Sequence, residues 1–411
     1  MAAAKGGRKE NKPATSQRRD GASKARQRFH DKQVTRWTGL VRPTTVEFLT
    51  MNPDDSIHGR GAAHNPPNRF ERLHVEPDPD AEPSPDDLME GQPRPKTVFY
   101  RDSSQTILNR NDSPDIPFDF SLNPYRGCEH GCIYCYARPT HEYLGFSSGL
   151  DFETKIMVKE DAPELLRKEL SSPRWQPQVV AMAGVTDCYQ PIERKLRITR
   201  RCLEVFAEFR NPVGIVTKNA LVTRDIDVLQ ELARFDAVAV FVTITTLDAE
   251  LARRMEPRTA SPRQRLETIR TLAAAGIRVG VMVAPVIPGL TDHEVMPILK
   301  AATDAGAKSA GYVMLRLPHA LKELFENWLT RWYPDSREKV LNRIRAVRDG
   351  ELYRADFKTR MTGTGIFAEQ VRQQFRTACR RAGIDGQRPG LSVDSFRVPA
   401  RAGDQMDLGL G

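Results

Sequence analysis

The chain has 411 residues, 62 Lys and Arg against 53 Asp and Glu, and a net charge of +9. Twelve basic and three acidic residues fall within the first 42, so that stretch carries the whole excess and the rest is neutral. This excludes a uniformly basic folded body. No apolar run approaches the ~18 residues of a membrane span, and Met1–Glu10 lacks the apolar core of a secretory signal. Six cysteines in this length do not make a disulfide scaffold. The expected setting is cytoplasmic, with reduced thiols and no membrane partner.

Residues 1–42 are rich in Lys, Arg, Gly, Ala, Gln and Ser with no hydrophobic period, which predicts a disordered basic arm. Residues 43–99 read as an acidic, proline-rich linker. Within it, Glu76–Asp87 is held extended by proline and like charge. The turn-rich stretch Gly59–Glu71 carries Phe70 as a short anchor.

From residue 100 to 317 apolar β-type runs alternate with amphipathic stretches. Strands are expected at Val179–Ala183, Val213–Thr217, Ala237–Thr245, Ile277–Ala284 and Ala310–Leu315. Helices are expected at Ala162–Leu170, Lys195–Phe209, Arg224–Phe235, Pro262–Ala275 and Asp292–Ala305. Thr291 and Glu294 would form a capping box on the last, with Gly306 as its stop. Strand and helix alternating at roughly 30-residue spacing predict parallel βαβ units. Their near-continuous apolar strands suit a sheet covered on both faces. The natural architecture is an α/β barrel, closed or partly closed, with function at the C-terminal strand ends. Residues 318–385 read as a helical extension, with one or two helices in 318–348 and another in 366–381. Residues 386–411 read as a flexible tail.

The most informative feature is Asn123-Pro-Tyr-Arg-Gly-Cys128-Glu-His-Gly-Cys132-Ile-Tyr-Cys135-Tyr136, with thiols spaced C-x3-C-x2-C. Three thiolates on one loop can hold three irons of a [4Fe-4S] cube and leave the fourth iron open to a ligand. A structural zinc site takes four closed ligands. His130 or His141 could complete one, so zinc remains an alternative on spacing alone.

With an aromatic residue before the last cysteine, the segment resembles the signature of the radical S-adenosylmethionine (SAM) enzymes. The resemblance covers about Tyr100 to Leu317. It implies a partial (β/α)6 TIM-like barrel of the radical SAM type. Cys128, Cys132 and Cys135 would be the metal ligands of a [4Fe-4S] cluster, with SAM bound at the open iron. It also implies an external electron donor of flavodoxin or ferredoxin type, and a 5′-deoxyadenosyl radical that abstracts hydrogen. The run C-x3-C-x-Y-C-Y, with Val216-Thr-Lys218, Met255-Glu-Pro-Arg258 and Arg265-Leu266, is similar to the spore photoproduct lyase-like subgroup. That likeness implies a lyase-type DNA repair reaction on damaged or modified nucleic acid.

The same resemblance suggests site residues. Tyr134 would pack on the adenine of SAM, and Tyr134 and Tyr136 could relay a hydrogen atom or simply shield the cluster. Thr186 and Asp187 follow a strand where the methionine end of SAM is held, and would offer a hydroxyl and an anion to its ammonium. Lys218 and Thr243 match positions near the SAM ribose or carboxylate. Cys188 is a candidate hydrogen donor, or a small buried thiol. Cys202 and Cys379 sit at helical core spacing. His130, His141 and His293 read as structural, and Arg126 either tunes the cluster or holds its loop. Glu256, Arg258 and Arg265 could pair, which at a surface contributes little.

Two partners lie in the tails. The arm can neutralise phosphates without regard to sequence. The segment Gln405–Leu410 resembles the peptide by which bacterial replication and repair proteins dock on the sliding clamp. A peptide or small-molecule substrate remains the alternative, which the neutral body favours. A non-catalytic zinc or cluster protein is the third reading.

Overall fold

The computed structural model describes residues 57, 59–71, 95–384 and 390–400. The basic arm, the acidic run Glu76–Asp87 and the clamp-like Gln405–Leu410 lie outside the described residues. Ten strands form among the residues described: β1 Val98–Arg101, β2 Leu108–Arg110, β3 Phe120–Leu122, β4 Tyr125–Arg126 and β5 Lys155–Val158 come first. They are followed by β6 Val180–Met182, β7 Val213–Thr217, β8 Val238–Thr243, β9 Arg278–Val286 and β10 Ser309–Met314.

The main sheet runs β10-β9-β8-β7-β6-β3-β2. Every pairing from β3 to β10 is parallel, and β2 closes the edge antiparallel. Six parallel strands joined by helices make the expected partial (β/α)6 barrel. A small second sheet, β1-β5-β4, sits apart. The strands are buried on both faces, as parallel sheets require: Val213, Ile215, Val240, Val242, Val279 and Val281 all lie in one core.

The connecting helices are Ala162–Leu170, Ile198–Phe209, Ile226–Ala233, Pro262–Ala274 and Val295–Asp304. Helix Ile198–Phe209 shows why they form: Ile198, Cys202, Val205, Phe206 and Phe209 recur at helical spacing, and all are buried. Cys202 and Cys379 both belong to this core. The capping box falls elsewhere than expected. Ser261 and Gln264 form one at the start of Pro262–Ala274. Thr291 instead accepts the Ile287 amide at 2.9 Å. The Glu294 carboxylate turns away to the Thr246 hydroxyl at 2.5 Å and the Leu247 amide at 2.6 Å. A contact to the loop after the preceding barrel strand, β8, outcompetes the local cap.

The C-terminal extension is three helices, Leu321–Trp332, Pro334–Ala346 and Gly365–Arg381. Gly365–Arg381 packs Ala368, Val371, Phe375 and Ala378 into the barrel core. The other two share a second core with Cys132, Ile133, Tyr134, Leu251, Met255 and Ile287. The extension therefore supports the cysteine loop directly. Among the described residues no helix is long and apolar enough to cross a membrane.

Candidate active site

The loop from Asn123 to Tyr136 leaves β3 at its C-terminal end, and four groups of contacts hold it. The first is a buried ion pair. Arg138 and Glu153 are both fully buried and meet at 2.5 Å. Arg138 also donates from Nε to the Cys132 carbonyl at 3.0 Å and from Nη1 to the Gly149 carbonyl at 2.8 Å. Such a pair survives burial only with its remaining donors and acceptors satisfied. The remaining acceptor capacity of both Glu153 oxygens is satisfied by a segment that reads as linker in the sequence. Glu153 accepts the Gly61 amide at 3.0 Å and the Ala62 amide at 2.8 Å. Arg60 donates to the Glu153 carbonyl at 2.9 Å.

Gly61 lies so close to the loop that a Cβ there would stand 1.7 Å from the Gly131 carbonyl oxygen. Gly131 has φ +66°, and a Cβ there would press on the Glu153 carboxylate. Residues 59–71 are thus a strap across the cysteine loop. Asn68 donates to the Glu142 and Phe146 carbonyls, and Arg69 pairs with Glu142 at 2.5 Å. The expected anchor Phe70 is half exposed, against Tyr143. Backbone amides and small residues do the anchoring instead.

The third contact is Asp187, which follows β6. Its carboxylate accepts from the Thr217 hydroxyl at 2.8 Å, the Lys218 amide at 2.8 Å and the Tyr189 amide at 2.9 Å. It also lies 3.4 Å from Nδ1 of His130, between the first two cysteines. Burial opposes the charge, but His130 brings Asp187 down to about 2. Against the same opposition, Asp187 and then the Cys128 sulfur raise His130 to about 10. Thr186 donates to the Gly127 carbonyl at 2.8 Å, and Gln190 accepts the Glu129 amide at 2.9 Å. Thr186 and Asp187, expected to face the SAM ammonium, are braced against the cysteine loop. Gly184, with Ala183 at φ +87°, makes the sharp turn that leads into them.

The fourth contact centres on Tyr134. Its hydroxyl donates to Glu256 and lies 3.1 Å from the Thr245 hydroxyl, which itself donates to Glu256 at 2.7 Å. Glu256 pairs with Arg265, which donates to the Thr243 carbonyl at 3.0 Å and the Ala260 carbonyl at 2.8 Å. Glu256 and Arg265 are almost wholly buried. This corrects the expectation of a surface pair: the Met255–Arg258 segment wraps the loop. The Met255 carbonyl accepts the Ile133 amide at 3.0 Å, and Arg258 reaches Glu129 at 3.4 Å.

The other expected residues separate into two groups. At the barrel mouth, Lys218 Nζ stands 5.8 Å from the Tyr134 ring centroid, at the end of β7. Thr243 ends the neighbouring β8 and is buried. Tyr136 is 47% exposed, donates to the Gly184 carbonyl, and carries Arg316 over its ring at 5.0 Å. Away from the mouth, Cys188 is fully buried in the main core, with its carbonyl bonded to Thr199 at 2.6 Å. Burial pushes its thiol well above the usual range, and Asp187 adds to this. Arg126 pairs with Asp102 at 2.7 Å and so holds the loop's base.

The three thiols fit a cluster better than a single ion. Burial raises Cys132 well above the ordinary thiol range, with Glu256 adding, and raises Cys135 with Cys128 adding. Cationic metal reverses that logic by stabilising the thiolates. Among the described residues no three His, Cys, Asp or Glu converge on a single-ion site. The His130 ring is engaged by Asp187 and by Asn219 at 3.0 Å, and His141 Nε2 donates to the Lys155 carbonyl at 2.9 Å. Three thiols distributed over three irons require no such convergence.

The radical SAM superfamily model matches residues 122–302, from the end of β3 into helix Val295–Asp304. An uncharacterised protein of Mycobacterium tuberculosis is 38% identical over 260 residues, 62% of this chain and 74% of its own length. The chain belongs to the radical SAM superfamily. It is a radical SAM enzyme, and the superfamily's cofactors are a [4Fe-4S] cluster and SAM. An uncharacterised protein of Methanocaldococcus jannaschii is 29% identical over 54% of this chain and 80% of its own length. Among solved structures, spore photoproduct lyase complexed with dinucleoside spore photoproduct matches with a TM-score of 0.49 at 17% identity. That match covers 71% of this chain and 80% of the lyase.

Sequence reasoning missed Glu153, Arg138, Gly61 and Arg316. Only proximity in the fold marks Glu153, Gly61 and Arg316, since Glu153 and Gly61 are 92 residues apart. The spacing of Arg138, three after Cys135, was the one signal available.

Proposed function

We propose that this radical SAM enzyme acts on damaged or modified nucleic acid. The observation that carries the reading is the set of three thiols on one braced loop at the C-terminal mouth of six parallel strands, with Tyr136 open beside them. Cys128, Cys132 and Cys135 would hold the [4Fe-4S] cluster, which with SAM supplies a 5′-deoxyadenosyl radical for hydrogen abstraction. Lys218 and Thr243, at adjacent strand ends, would contact SAM from the side of Tyr134. The Tyr134 hydroxyl is committed to Glu256, so Tyr134 positions the loop. Tyr136 also has its hydroxyl bonded, to the Gly184 carbonyl, but its half-exposed side chain would face a substrate. Thr186 and Asp187 keep the loop in place, and Cys188 is left out of the chemistry because it reaches no open surface.

The nucleic-acid part is supported by the likeness of C-x3-C-x-Y-C-Y to the lyase-like subgroup and by the +9 arm of residues 1–42. The neutral body favours a second reading, a peptide or small molecule. A Pseudomonas phage relative, 25% identical over 49% of this chain and 40% of its own length, is named a radical SAM Nalpha-GlyT isomerase. That name leaves the reaction class open.

The test is anaerobic reconstitution, iron and sulfide analysis, and reductive SAM cleavage with and without UV-irradiated DNA. Four irons and four sulfides with DNA-stimulated release of deoxyadenosine support the reading. Cleavage indifferent to nucleic acid but stimulated by a peptide favours the alternative. One zinc per chain and no cleavage overturns both.

A further inference from the structure

Arg316 follows β10 at the mouth of the barrel, two residues beyond Met314. Its guanidinium lies 5.0 Å from the centroid of the exposed Tyr136 ring. Among the described residues its one hydrogen-bond partner is the Met361 sulfur, 3.7 Å from Nη1, and its buried Nε has none. Among the described residues Arg316 forms no ion pair. The carboxylate whose field it reaches, Asp115, is already held by Arg360 at 2.5 Å and by the Lys358 amide at 2.6 Å.

A second arginine stands behind it. Arg348 is almost wholly buried and donates to the Leu315 carbonyl at 2.7 Å and the Thr359 carbonyl at 3.1 Å. Its Nε is also buried without a partner. Burial, and then the positive charge of Arg316, lower its pKa to about 10. Two guanidinium groups held near each other cost free energy, and the acids whose fields reach them, Asp115 and Asp349, are already paired with Arg360 and Arg354. An arriving anion would recover that cost, and a guanidinium is the side chain best shaped to take a phosphate or carboxylate.

We propose that Arg316, backed by Arg348, is the anion anchor of the substrate site and holds a backbone phosphodiester of the nucleic acid beside Tyr136. This deepens the nucleic-acid reading above and rests on it. The geometry suits that role. A phosphate held by Arg316 would lie next to the exposed Tyr136, whose ring the same guanidinium approaches at 5.0 Å. The other anion that could reach the mouth is the carboxylate of SAM. A phosphodiester is favoured because Arg316 follows β10, whereas Lys218 follows β7 and Thr243 ends β8.

The experiment uses the full-length holoenzyme and a fluorescein-labelled single-stranded oligothymidine, with binding followed by anisotropy over a salt series. Arg316→Gln is compared with wild type, with Arg316→Lys, and with Lys300→Gln. The last removes a charge paired with Asp304 on an outer helix. Loss of one phosphate contact should weaken binding about tenfold for Arg316→Gln. It should also lower the slope of log affinity against log salt by about one. Arg316→Lys should recover part of the affinity, and Lys300→Gln should match wild type. Thermal melts confirm that each variant is folded. If wild type binds the oligonucleotide but Arg316→Gln keeps its affinity and slope, the anchor is wrong and the nucleic-acid reading stands. If Arg316→Gln weakens SAM binding in equilibrium dialysis and leaves the oligonucleotide untouched, the anchor serves SAM and the proposal is overturned. If wild type binds no oligonucleotide at all, the nucleic-acid reading itself fails.

Discussion

Tyr134, inside the cysteine triplet, donates its hydroxyl to Glu256, 122 residues further along the chain. Glu256 in turn neutralises the buried Arg265, which is tied to the Thr243 carbonyl at the end of β8. The loop that carries the three thiols is therefore keyed to the barrel wall through one carboxylate.

Removing that carboxylate isolates a buried charge. Glu256→Ala leaves Arg265 without its counter-ion, and breaking a buried pair in this way costs about 3–5 kcal/mol. Urea denaturation should show that loss. Glu256→Gln keeps the shape and a hydrogen bond to Tyr134, so it should cost less than the alanine variant. Equal losses in the two would mean that packing, and not charge, holds the loop.

The strap gives a sharper expectation, because Gly61 has no room for any side chain. In Gly61→Val the new Cβ would collide with the Gly131 carbonyl, which is backbone and cannot swing aside. The strap must lift, which takes the Gly61 and Ala62 amides away from the Glu153 carboxylate. We expect reconstituted Gly61→Val to bind less iron and sulfide per chain, and to lose its visible cluster absorbance faster in air. Gly390→Ala is the control, since nothing lies within 4 Å of a Cβ there and its backbone is outside the left-handed region. Full iron content in Gly61→Val would show that the strap is dispensable.

His141 sets a pH dependence. Its Nε2 donates to the Lys155 carbonyl, and its Nδ1 is buried without a partner. Burial lowers its pKa to about 4, so the folded protein holds it neutral. The unfolded chain takes up the proton near pH 6.5. Below that, the unfolded state binds more protons than the folded one. The stability present above pH 6.5 is therefore lost as pH falls towards 4, by on the order of 3 kcal/mol. His141→Gln should flatten this dependence. Comparing the two proteins at each pH cancels the acid lability of a cluster common to both. Parallel slopes between pH 4 and 6.5 would remove His141 as the cause.

How much of this was legible depends on the range of each signal. β7 and helix Ala162–Leu170 fall where the apolar runs put them, because burial on both faces and helical spacing are local patterns. β3, which launches the cysteine loop, is three residues long and half-buried, too short for a pattern to register. Residues 59–71 read as linker because they carry turn residues. Their role lies in backbone amides offered to Glu153, and backbone amides have no residue signature. Thr291 and Glu294 had the spacing of a capping box, yet Glu294 serves Thr246 across the fold. Glu256 and Arg265 looked like surface charges because composition cannot report that a loop closes over them.

Cys188 separates the motif from its surroundings. It follows Asp187 directly, on the segment where the lyase-like subgroup suggested a hydrogen donor, yet it is fully buried among core residues. A donor has to approach a radical on the substrate, and no such approach is open to it. Cys188→Ala should therefore keep SAM cleavage and product formation close to wild type, with a stability loss of about 1 kcal/mol. Cys132→Ala should lose SAM cleavage altogether, with its iron and sulfide content. Running the two side by side under the same reductant distinguishes them. If Cys188→Ala cleaves SAM normally but accumulates a substrate-derived radical or a misreduced product, the thiol does reach the site, and the segment from Ala183 to Cys188 must open during turnover.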